Sequence, residues 1–358
     1  MFPKLEKLLD SFVAAGVPGY DVMICRKGEP IFRLQKGYSD LENRVPVRGD
    51  ERYNFYSCSK PITVTAAMTL FDEGRFRLED ELADYLPEFR HMQVKTTDGV
   101  RPAQNPILIK HLFTMEAGFN YDLQTPALLE ARKVTGGLCP TRETVSYLSR
   151  QPLDFEPGTH HSYSLCHDVL AAVVEVISGE TFENYVKHRI FDPLGMTHST
   201  FLLPESERKT LAQQYRFDSA QGRVVNCGPG NAYMLGSRYA SGGAGLVSTT
   251  EDYMRFLEGL RTGETLVKRE TLALMTTDQL EECSRPDYGF NTRYGYGLGL
   301  RCPYPGLPGT DFGWDGAAGS VLAIFPEKEI SLIYVQHLLN SPVFGRRLEI
   351  LDAMLEEL

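Results

Sequence analysis

The sequence predicts an α+β fold, with an antiparallel sheet flanked by the terminal helices and a mostly helical inserted domain. Runs rich in β-branched residues lie near both ends of the chain, whereas residues 80–200 show mainly helical patterns. Strands at both ends with helices between them indicate that the two ends meet in one sheet. We therefore expect residues 1–55 and 245–358 to form a sheet domain and residues 56–244 to form a helical domain.

The first elements of the chain are a helix and a β-hairpin. Apolar side chains recur at helical spacing at Leu5, Leu8, Leu9, Phe12 and Val13. Two β-rich runs follow, "YDVMICRKG" and "PIFRLQKGYS", and the turn residues at positions 28–30 predict a hairpin. The next stretch, "NFYSCSKPITVTAAMTLFDEG", has one apolar helical face, and Gly74 suits the C-terminal cap of that helix.

The rest of the chain changes from helical to β-rich patterns. Four segments between residues 100 and 200 are helical: "IKHLFTM", "RETVSYLSRQ", "DVLAAVVEVISGE" and "FENYVKHRIFDPLGM". Residues 200–245 are polar and Gly-rich with weak β signals, and "TTEDYMRFLEGL" then predicts a helix capped by Thr249 or Thr250. Three β-rich segments, "YGYGLGLRC", "GSVLAIFP" and "EISLIYVQHL", precede a closing helix, "GRRLEILDAMLEEL".

The composition of the 358-residue chain is that of an ordinary globular protein. A formal net charge of −10 argues against nucleic acid or an anionic membrane surface as a partner. No apolar run approaches the ~20 residues that a membrane-spanning helix needs. The seven cysteines lack CxxC spacing and are expected to be reduced thiols. Because the N-terminal segment lacks the apolar core and cleavage site of a secretory signal, we expect a cytoplasmic protein.

Ser57 and Lys60 form the pattern with the clearest chemical meaning. Residues three apart share a helix face, so the hydroxyl and the amine can approach each other. A serine needs an adjacent base to act as a nucleophile, and burial near the positive end of a helix favours a neutral amine. Pro61 is tolerated in a first helical turn, which places Ser57 at the helix start with a backbone N–H available for an oxyanion. A second copy of the pattern, Ser206 to Lys209, lies in a charged segment typical of a solvated surface.

The segments around this pair resemble the serine β-lactamase-like superfamily, which includes class C β-lactamases, penicillin-binding DD-peptidases and their esterase relatives. The resemblance begins with "FYSCSKPITVTAAMTLFDEGRFRLEDELADYLPEF" and continues in the family's order through "FEPGTHHSYSLCHDVLAAVVEVISGETFENYV" and "FGWDGAAGSVLAIFPEKEISLIYV". It covers nearly the whole chain. The resemblance implies the β-lactamase-like fold and an active site in the cleft between the two domains, with Ser57 as the nucleophile and Lys60 beside it.

The second motif of the family, Tyr-x-Asn, falls on Tyr163. The resemblance implies that Tyr163 acts with Lys60 as general base towards the serine and as proton donor to the leaving group. Leu165 replaces the asparagine that helps β-lactamases to hold the amide side chain of their substrate. A loop that borders the family's cleft supplies three candidate substrate contacts, Phe119, Asn120 and Tyr121.

The third motif of the family, Lys-Thr-Gly in β-lactamases, falls on residues 314–316. The residue after this glycine supplies the family's second oxyanion N–H, which implies that Ala317 shares that role with Ser57. We expect Trp314 to form a wall of the acyl or alcohol pocket and Asp315 to repel a substrate carboxylate. The substrate contacts expected in this motif are Trp314, Asp315 and Gly316. Two arginines could supply a missing positive charge, Arg293 and Arg301.

These inferences together predict a serine hydrolase that cleaves small neutral esters through an acyl-enzyme on Ser57. We expect no metal or organic cofactor, because the residues of "HHSYSLCH" do not match the spacing of a zinc site. Three alternatives stay open. They are a D-amino acid amide or peptide hydrolase in which Asp315 holds an amine, a β-lactamase, and a catalytically silent protein that binds a ligand.

Overall fold

The structure is a computed structural model that describes residues 2–228, 230–263, 265–289, 293–304, 306 and 310–358. In this part of the chain the α-helices, α1 to α12, are Pro3–Ala14, Ser59–Asp72, Leu82–Tyr85, Ile109–Thr114, Pro126–Val134, Thr141–Ser146, Cys166–Ser178, Phe182–Val186, Asp192–Leu194, Thr250–Thr262, Arg269–Met275 and Arg347–Leu355. The strands, β1 to β14, are Gly19–Arg26, Glu29–Asp40, Val45–Pro46, Tyr53–Asn54, Gln93–Thr96, Gly99–Pro102, Tyr215–Asp218, Arg223–Asn226, Val247–Ser248, Tyr294–Tyr296, Arg301–Pro303, Val321–Phe325, Ile330–Gln336 and Leu338–Leu339. None of these helices combines the length and the apolar character needed to cross a membrane.

The main sheet joins the two ends of the chain, as the sequence predicts. Its strands run in the order β12–β13–β1–β2–β3, and each neighbouring pair is antiparallel. Strand β1 lies in the centre and pairs with the C-terminal strand β13 from Tyr20 opposite Gln336 to Arg26 opposite Ile330. The predicted hairpin joins β1 to β2. This sheet, together with the helices, confirms the α+β class.

The two faces of the sheet contact two different apolar cores. Because side chains alternate along a strand, Val22 and Ile24 of β1 join one core, whereas Met23 and Cys25 join the other. The terminal helices α1 and α12 pack against each other and cover the first face. Helix α10 packs on β1 and β13 at the second face. The terminal helices therefore flank the sheet as expected.

Helix α2 is more deeply buried than its sequence indicates. Every residue from Ser59 to Leu70 is buried, so burial extends from the predicted apolar face to the other faces of the helix. The helix packs against α7 and α8 within the larger core, which leaves no solvent-facing side along most of its length. Gly74 follows the helix with a φ of 68°, the left-handed conformation expected of a C-terminal cap.

Other local predictions meet mixed outcomes. Of the two residues predicted as the cap of α10, Thr249 takes this role, and its side chain accepts a hydrogen bond from the Asp252 N–H. The β-rich segment "YGYGLGLRC" forms a hairpin of β10 and β11, and Gly299 has a φ of 74° between them. The hairpin β5–β6 lies in the region that is expected to be mainly helical. The weak β signals after residue 200 correspond to the hairpin β7–β8.

Candidate active site

Ser57 lies in a short 3₁₀ turn, Tyr56–Cys58, that leads directly into α2. Tyr56 has a φ of 47°, an uncommon conformation for a residue with a side chain. Two hydrogen bonds hold this turn: Ser59 Oγ donates to the Tyr56 carbonyl at 2.6 Å, and the Tyr253 hydroxyl donates to the Cys58 carbonyl at 2.5 Å. Backbone strain held by such contacts is concentrated at functional sites. The turn therefore presents the Ser57 hydroxyl at the start of a rigid helix.

Tyr163 and Lys60 both reach the Ser57 hydroxyl. The Tyr163 hydroxyl donates a hydrogen bond to Ser57 Oγ at 2.6 Å, and Lys60 Nζ donates to the same oxygen at 3.5 Å. Lys60 is completely buried, and its Nζ also donates to the Gly243 carbonyl at 2.7 Å. The side chain of Tyr163, in contrast, is 37% exposed. Three residues that the sequence singles out thus meet at one oxygen that a substrate can approach.

Aromatic rings fix the positions of Tyr163 and Lys60. The Tyr163 ring stacks between the rings of Tyr121 and Trp314, at centroid distances of 5.6 and 6.1 Å with interplanar angles of 11° and 10°. Lys60 Nζ lies 4.5 Å from the centroid of the Tyr163 ring and 5.4 Å from that of Tyr121. These distances are those of cation–π contacts, which attract the lysine amine to the faces of the rings. The stack therefore orients the tyrosine hydroxyl and holds the lysine amine beside it.

Ala317 lies in a turn at the end of residues 314–316. This segment runs antiparallel beside β12, since Leu322 N–H donates to the Trp314 carbonyl at 3.0 Å. The backbone N–H groups of Ser57 and Ala317 donate no hydrogen bond to any residue in the described ranges. Both residues line the same cavity. Two free N–H groups at one cavity can stabilise the oxyanion of a tetrahedral intermediate.

Gly316 allows this turn to approach the nucleophile. A Cβ at this position would lie 2.7 Å from the Phe55 carbonyl oxygen and 3.3 Å from Cys58 Sγ. Phe55 precedes the turn that carries Ser57, and Cys58 is its last residue. A side chain at position 316 would therefore push Ala317 away from Ser57. Gly316 is absent from the cavity lining, and its contribution is the close approach of two backbones.

A cavity of about 450 Å³ opens onto Ser57. The cavity is lined by Ser57, Tyr121, Tyr163, Tyr233, Arg301, Trp314, Asp315, Ala317 and Phe344. Its volume falls in the range of small-molecule sites, about 300–1,000 Å³, and most of the lining is aromatic. Tyr233 and Phe344 belong to segments in which the sequence shows no functional pattern. The lining suits an apolar acyl or alcohol group.

Of the three loop residues expected to contact substrate, only Tyr121 lines the cavity. Phe119 is 5% exposed and packs edge-on against Phe89 within the larger core. The Asn120 side chain donates to the Asp154 carboxylate at 3.3 Å. Both side chains are therefore occupied by structural contacts outside the cavity.

Asp315 is paired with two arginines, unlike the free carboxylate that the sequence suggests. Its carboxylate lies 3.1 Å from Arg301 and 3.3 Å from Arg347. The fully buried Asp311 bonds to both arginines as well, and the two guanidinium groups hold its carboxyl pKa below the usual range. Two positive and two negative charges thus balance one another. The expected repulsion of a substrate carboxylate by Asp315 is largely cancelled, and Arg301 is also not a free cation.

Asp168 is a buried acid near the site that no motif in the sequence marks. It lies on α7 and accepts hydrogen bonds from Ser241 Oγ at 2.6 Å and from the Tyr239 hydroxyl at 2.9 Å. Burial raises the pKa of its carboxyl, whereas the Ser241 bond and the nearby Lys60 charge lower it. The available signal was an acid in the first turn of a helix that is otherwise apolar, five residues after Tyr163.

The histidines and cysteine of "HHSYSLCH" have separate surroundings. His160 bonds to Asp287 at 2.8 Å, whereas His161 packs edge-on against two tyrosines. Cys166 and His167 are buried in the first turn of α7. Within the described ranges, no group of three or more His, Cys, Asp or Glu side chains could hold a metal ion.

Comparisons with known proteins agree with this fold. Protein Rv1367c of Mycobacterium tuberculosis is 30% identical over 328 residues, which cover 84% of this chain and 81% of that protein. Esterase EstB of Burkholderia gladioli is 28% identical over 295 residues, covering 76% and 74% of the two chains. The solved structure of EstCE1, a hydrolase with promiscuous acyltransferase activity, has a TM-score of 0.78 at 26% identity and covers 98% of this chain and 97% of its own. A sequence model of the Beta-lactamase family matches residues 5–355, and this chain therefore belongs to the Beta-lactamase family.

Proposed function

We propose that this protein is an esterase-like serine hydrolase that cleaves small neutral esters through an acyl-enzyme on Ser57. The observation that carries this proposal is the hydrogen bond of 2.6 Å from Tyr163 to Ser57 Oγ, with Lys60 Nζ at 3.5 Å from the same oxygen. The ester-cleaving relative EstB and the hydrolase EstCE1 support the class of reaction. The proposal requires no metal ion or organic cofactor.

In the proposed reaction, Ser57 Oγ attacks the ester carbonyl while its proton passes to the Tyr163–Lys60 pair. The N–H groups of Ser57 and Ala317 donate to the oxyanion that forms. The ester C–O bond then breaks, and the departing alcohol takes the proton from the pair. A water molecule repeats the sequence on the acyl-enzyme and releases the carboxylic acid.

We also propose that the site lies in the cleft between the two expected domains. Four lining residues belong to residues 56–244, namely Ser57, Tyr121, Tyr163 and Tyr233. Five belong to residues 245–358, namely Arg301, Trp314, Asp315, Ala317 and Phe344. A cavity lined from both segments supports an active site that is completed only when the two domains pack together.

The charge balance around Asp315 favours neutral esters over the alternative substrates. A D-amino acid amide would need a carboxylate available for its ammonium group, and Asp315 already pairs with Arg301 and Arg347. A penicillin or D-alanyl peptide would need an available cation, and the charge of Arg301 is balanced by Asp311 and Asp315. The aromatic lining instead suits an uncharged, apolar substrate group.

A substrate panel tests this proposal. We expect p-nitrophenyl butyrate to be hydrolysed faster than D-phenylalanine amide or penicillin G. Ser57→Ala should abolish both hydrolysis and labelling by a fluorophosphonate with little change in thermal stability. The matched control is Ser206→Ala, because Ser206 belongs to the other serine–lysine pattern and lies in the exposed 3₁₀ helix Glu205–Thr210.

Three outcomes would contradict the proposal. Faster opening of penicillin G than cleavage of the ester would indicate a β-lactamase. Faster release of ammonia from the amide would indicate an amide hydrolase. Absence of fluorophosphonate labelling in the native protein would indicate a ligand-binding protein without an activated serine.

A further inference from the structure

The buried charge of Lys60 has a buried negative neighbour, Asp168. Neither side chain is exposed to solvent. Gly243 lies between them, because a Cβ at this glycine would lie 3.5 Å from Lys60 Nζ and 2.6 Å from Asp168 Oδ2. The two charged groups are therefore within about 6 Å of each other, a separation at which opposite charges stabilise each other's charged form.

The other titratable side chains around this pair are uncharged at neutral pH. Burial raises the pKa of four of them, Cys58, Tyr121, Cys166 and Tyr239. Burial also lowers the pKa of His167 to about 3, which keeps its imidazole neutral. The ring of Tyr163 also faces the pair and covers Lys60 Nζ. Asp315 is the carboxylate on the cavity side, and it is already paired with Arg301 and Arg347. Asp168 is thus the carboxylate left to balance Lys60.

The two carboxylate oxygens of Asp168 have different surroundings. Oδ1 accepts the hydrogen bonds from Ser241 and Tyr239, whereas Oδ2 has no side-chain hydrogen-bond partner among the described residues. The backbone N–H of Gly243 also faces this carboxylate and lowers its pKa. A buried carboxylate is costly unless a nearby positive charge compensates it. Lys60 is the cation on the Gly243 side of Oδ2.

We propose that Asp168 is a positioning residue that keeps Lys60 in its ammonium form, so that Tyr163 is the group that takes the proton from Ser57. The inference rests on the proposed role of Ser57 as nucleophile. For this step the Tyr163 hydroxyl, which is accessible to solvent, first releases its own proton to water. The Ser57 O–H bond then breaks, its proton moves to the resulting Tyr163 phenolate oxygen, and Oγ bonds to the substrate carbonyl carbon. The Lys60 ammonium stabilises the phenolate before the transfer. The distances agree, since the Tyr163 oxygen is 2.6 Å from Ser57 Oγ and Lys60 Nζ is 3.5 Å away.

The test is the pH dependence of Ser57 labelling by a fluorophosphonate in the native protein and in Asp168→Asn. The amide keeps the shape of the carboxylate and removes its charge. In the native protein, labelling should slow above the pH at which the Lys60 ammonium loses its proton, and we call this pH the alkaline limit. In Asp168→Asn we expect the alkaline limit to be lower by about 1–2 pH units, because charges ~6 Å apart at an effective dielectric of ~20 interact with about that strength. At pH 9 the variant should label at least about tenfold more slowly than the native protein, with a smaller loss at pH 6.5.

A second buried acid provides the matched control. Glu183 is also largely buried and accepts hydrogen bonds from Thr200 at 2.6 Å and from the Phe201 N–H at 2.8 Å, outside the cavity lining. We expect Glu183→Gln to lower the melting temperature and to leave the alkaline limit in place. An equal loss of labelling at every pH in Asp168→Asn would show a purely structural role. Faster labelling at neutral pH would show that Lys60 acts as a neutral base, and either result would overturn the proposal.

A double variant keeps the proposal testable if Asp168→Asn folds poorly. Removal of both charges in Lys60→Met/Asp168→Asn should restore part of the melting temperature that Asp168→Asn loses, because the unbalanced charge is then gone. A double variant no more stable than Asp168→Asn would contradict the pairing. Labelling and stability do not depend on which substrate is cleaved. A native protein that labels but cleaves no ester would therefore refute the proposed substrate and leave this test intact.

Discussion

At the scale of single residues, Tyr163 is exposed and yet closely held. Its ring is fixed between two other rings, with Lys60 Nζ against its face. Its hydroxyl therefore points at Ser57 before any substrate arrives. A catalytic group that is already oriented avoids part of the ordering cost of the transition state. The neighbouring Tyr121 and Trp314 hold this ring in place by stacking on it.

Replacement of Tyr163 by Phe separates these two contributions. Tyr163→Phe keeps the stacked ring and removes only the hydroxyl, so we expect kcat for p-nitrophenyl butyrate to fall by about 10²–10⁴-fold, the usual range for a lost proton-transfer group. Stability should change by less than about 1 kcal/mol, because the lost hydroxyl is at a solvent-accessible residue.

The control for this variant is Tyr185→Phe. The Tyr185 hydroxyl lies 2.8 Å from the Thr69 hydroxyl in the core, so this change also removes one tyrosine hydrogen bond. We expect it to lower stability modestly and to leave kcat close to that of the native protein. Undiminished hydrolysis in Tyr163→Phe would remove the tyrosine from the proposed mechanism.

At the scale of elements, the site is formed by backbones that approach one another closely. Gly316 brings the start of the turn that contains Ala317 close to the turn before α2. Gly243 brings its own loop close to α7. A Cβ at Gly243 would lie 2.6 Å from Asp168 Oδ2 and 3.0 Å from the Tyr121 hydroxyl. Such distances are accessible only to a residue without a side chain. Both glycines thus bring segments distant in sequence to one cavity.

Gly316→Ala should impair catalysis more than stability. The new methyl group would meet the Phe55 carbonyl oxygen at 2.7 Å, and the resulting shift would move the Ala317 N–H away from the oxyanion. Overpacking of this kind costs about 1–3 kcal/mol, whereas a displacement of about 1 Å at a reacting centre can cost about 10²-fold in rate. The measurement is kcat for the ester together with the melting temperature.

Gly289→Ala is the matched control for this prediction. A Cβ at Gly289 would meet nothing within 4 Å, so we expect both kcat and the melting temperature to stay near the native values. If Gly316→Ala retained full activity, the turn would tolerate a displacement or Ala317 would not supply the second N–H.

The elements that the sequence predicts are those with a dominant local pattern. The first helix, the first hairpin and the Thr249 cap follow from periodicity and turn residues within a few positions. The segment "YGYGLGLRC" is different, because two short strands and their turn share one glycine-rich composition. The hairpin β5–β6 has strands of four residues, too short for a clear alternation.

The residues of the candidate site likewise fall into those that a sequence pattern predicts and those that only tertiary packing brings to the cavity. Ser57 and Lys60 follow from their spacing, and Tyr163 and Ala317 from the resemblance to a family. Tyr233 and Phe344 carry no local signal, because they reach the cavity only through the packing of distant segments. Asp168 could not be linked to Lys60 from the sequence, since their proximity depends on how α7 packs against α2.

At the scale of the whole molecule, buried charge ties the last helix to the site. Arg347, in the first turn of α12, reaches both Asp311 and Asp315 beside the cavity. Removal of one partner from such a buried network leaves an uncompensated charge, which typically costs about 3–5 kcal/mol. The network therefore couples the packing of α12 on the sheet to the shape of the substrate cavity.

Buried neutral histidines should make the whole fold sensitive to acid. Burial lowers the pKa of His111 and His161 to about 4 and that of His167 to about 3, whereas an unfolded histidine has a value near 6.5. Below pH ~6.5 the unfolded chain binds protons that the native chain does not. The free energy of unfolding therefore decreases as the pH is lowered. This stability is fully present above pH ~6.5 and is lost progressively towards pH ~4.

Calorimetry between pH 7.5 and 4.5 tests this prediction. Each of the three histidines can contribute up to about 1.4 kcal/mol per pH unit, so we expect a steep fall in melting temperature across this range. His111→Gln should reduce the slope, since glutamine takes up no proton when the chain unfolds, while its effect at pH 7.5 reports only the altered packing. The control is His91→Gln, because His91 is exposed and a change there should leave the slope as it is. A melting temperature that stays constant from pH 7.5 to 5 would show that these imidazoles are protonated within the native fold, and would contradict the burial that the structure gives them.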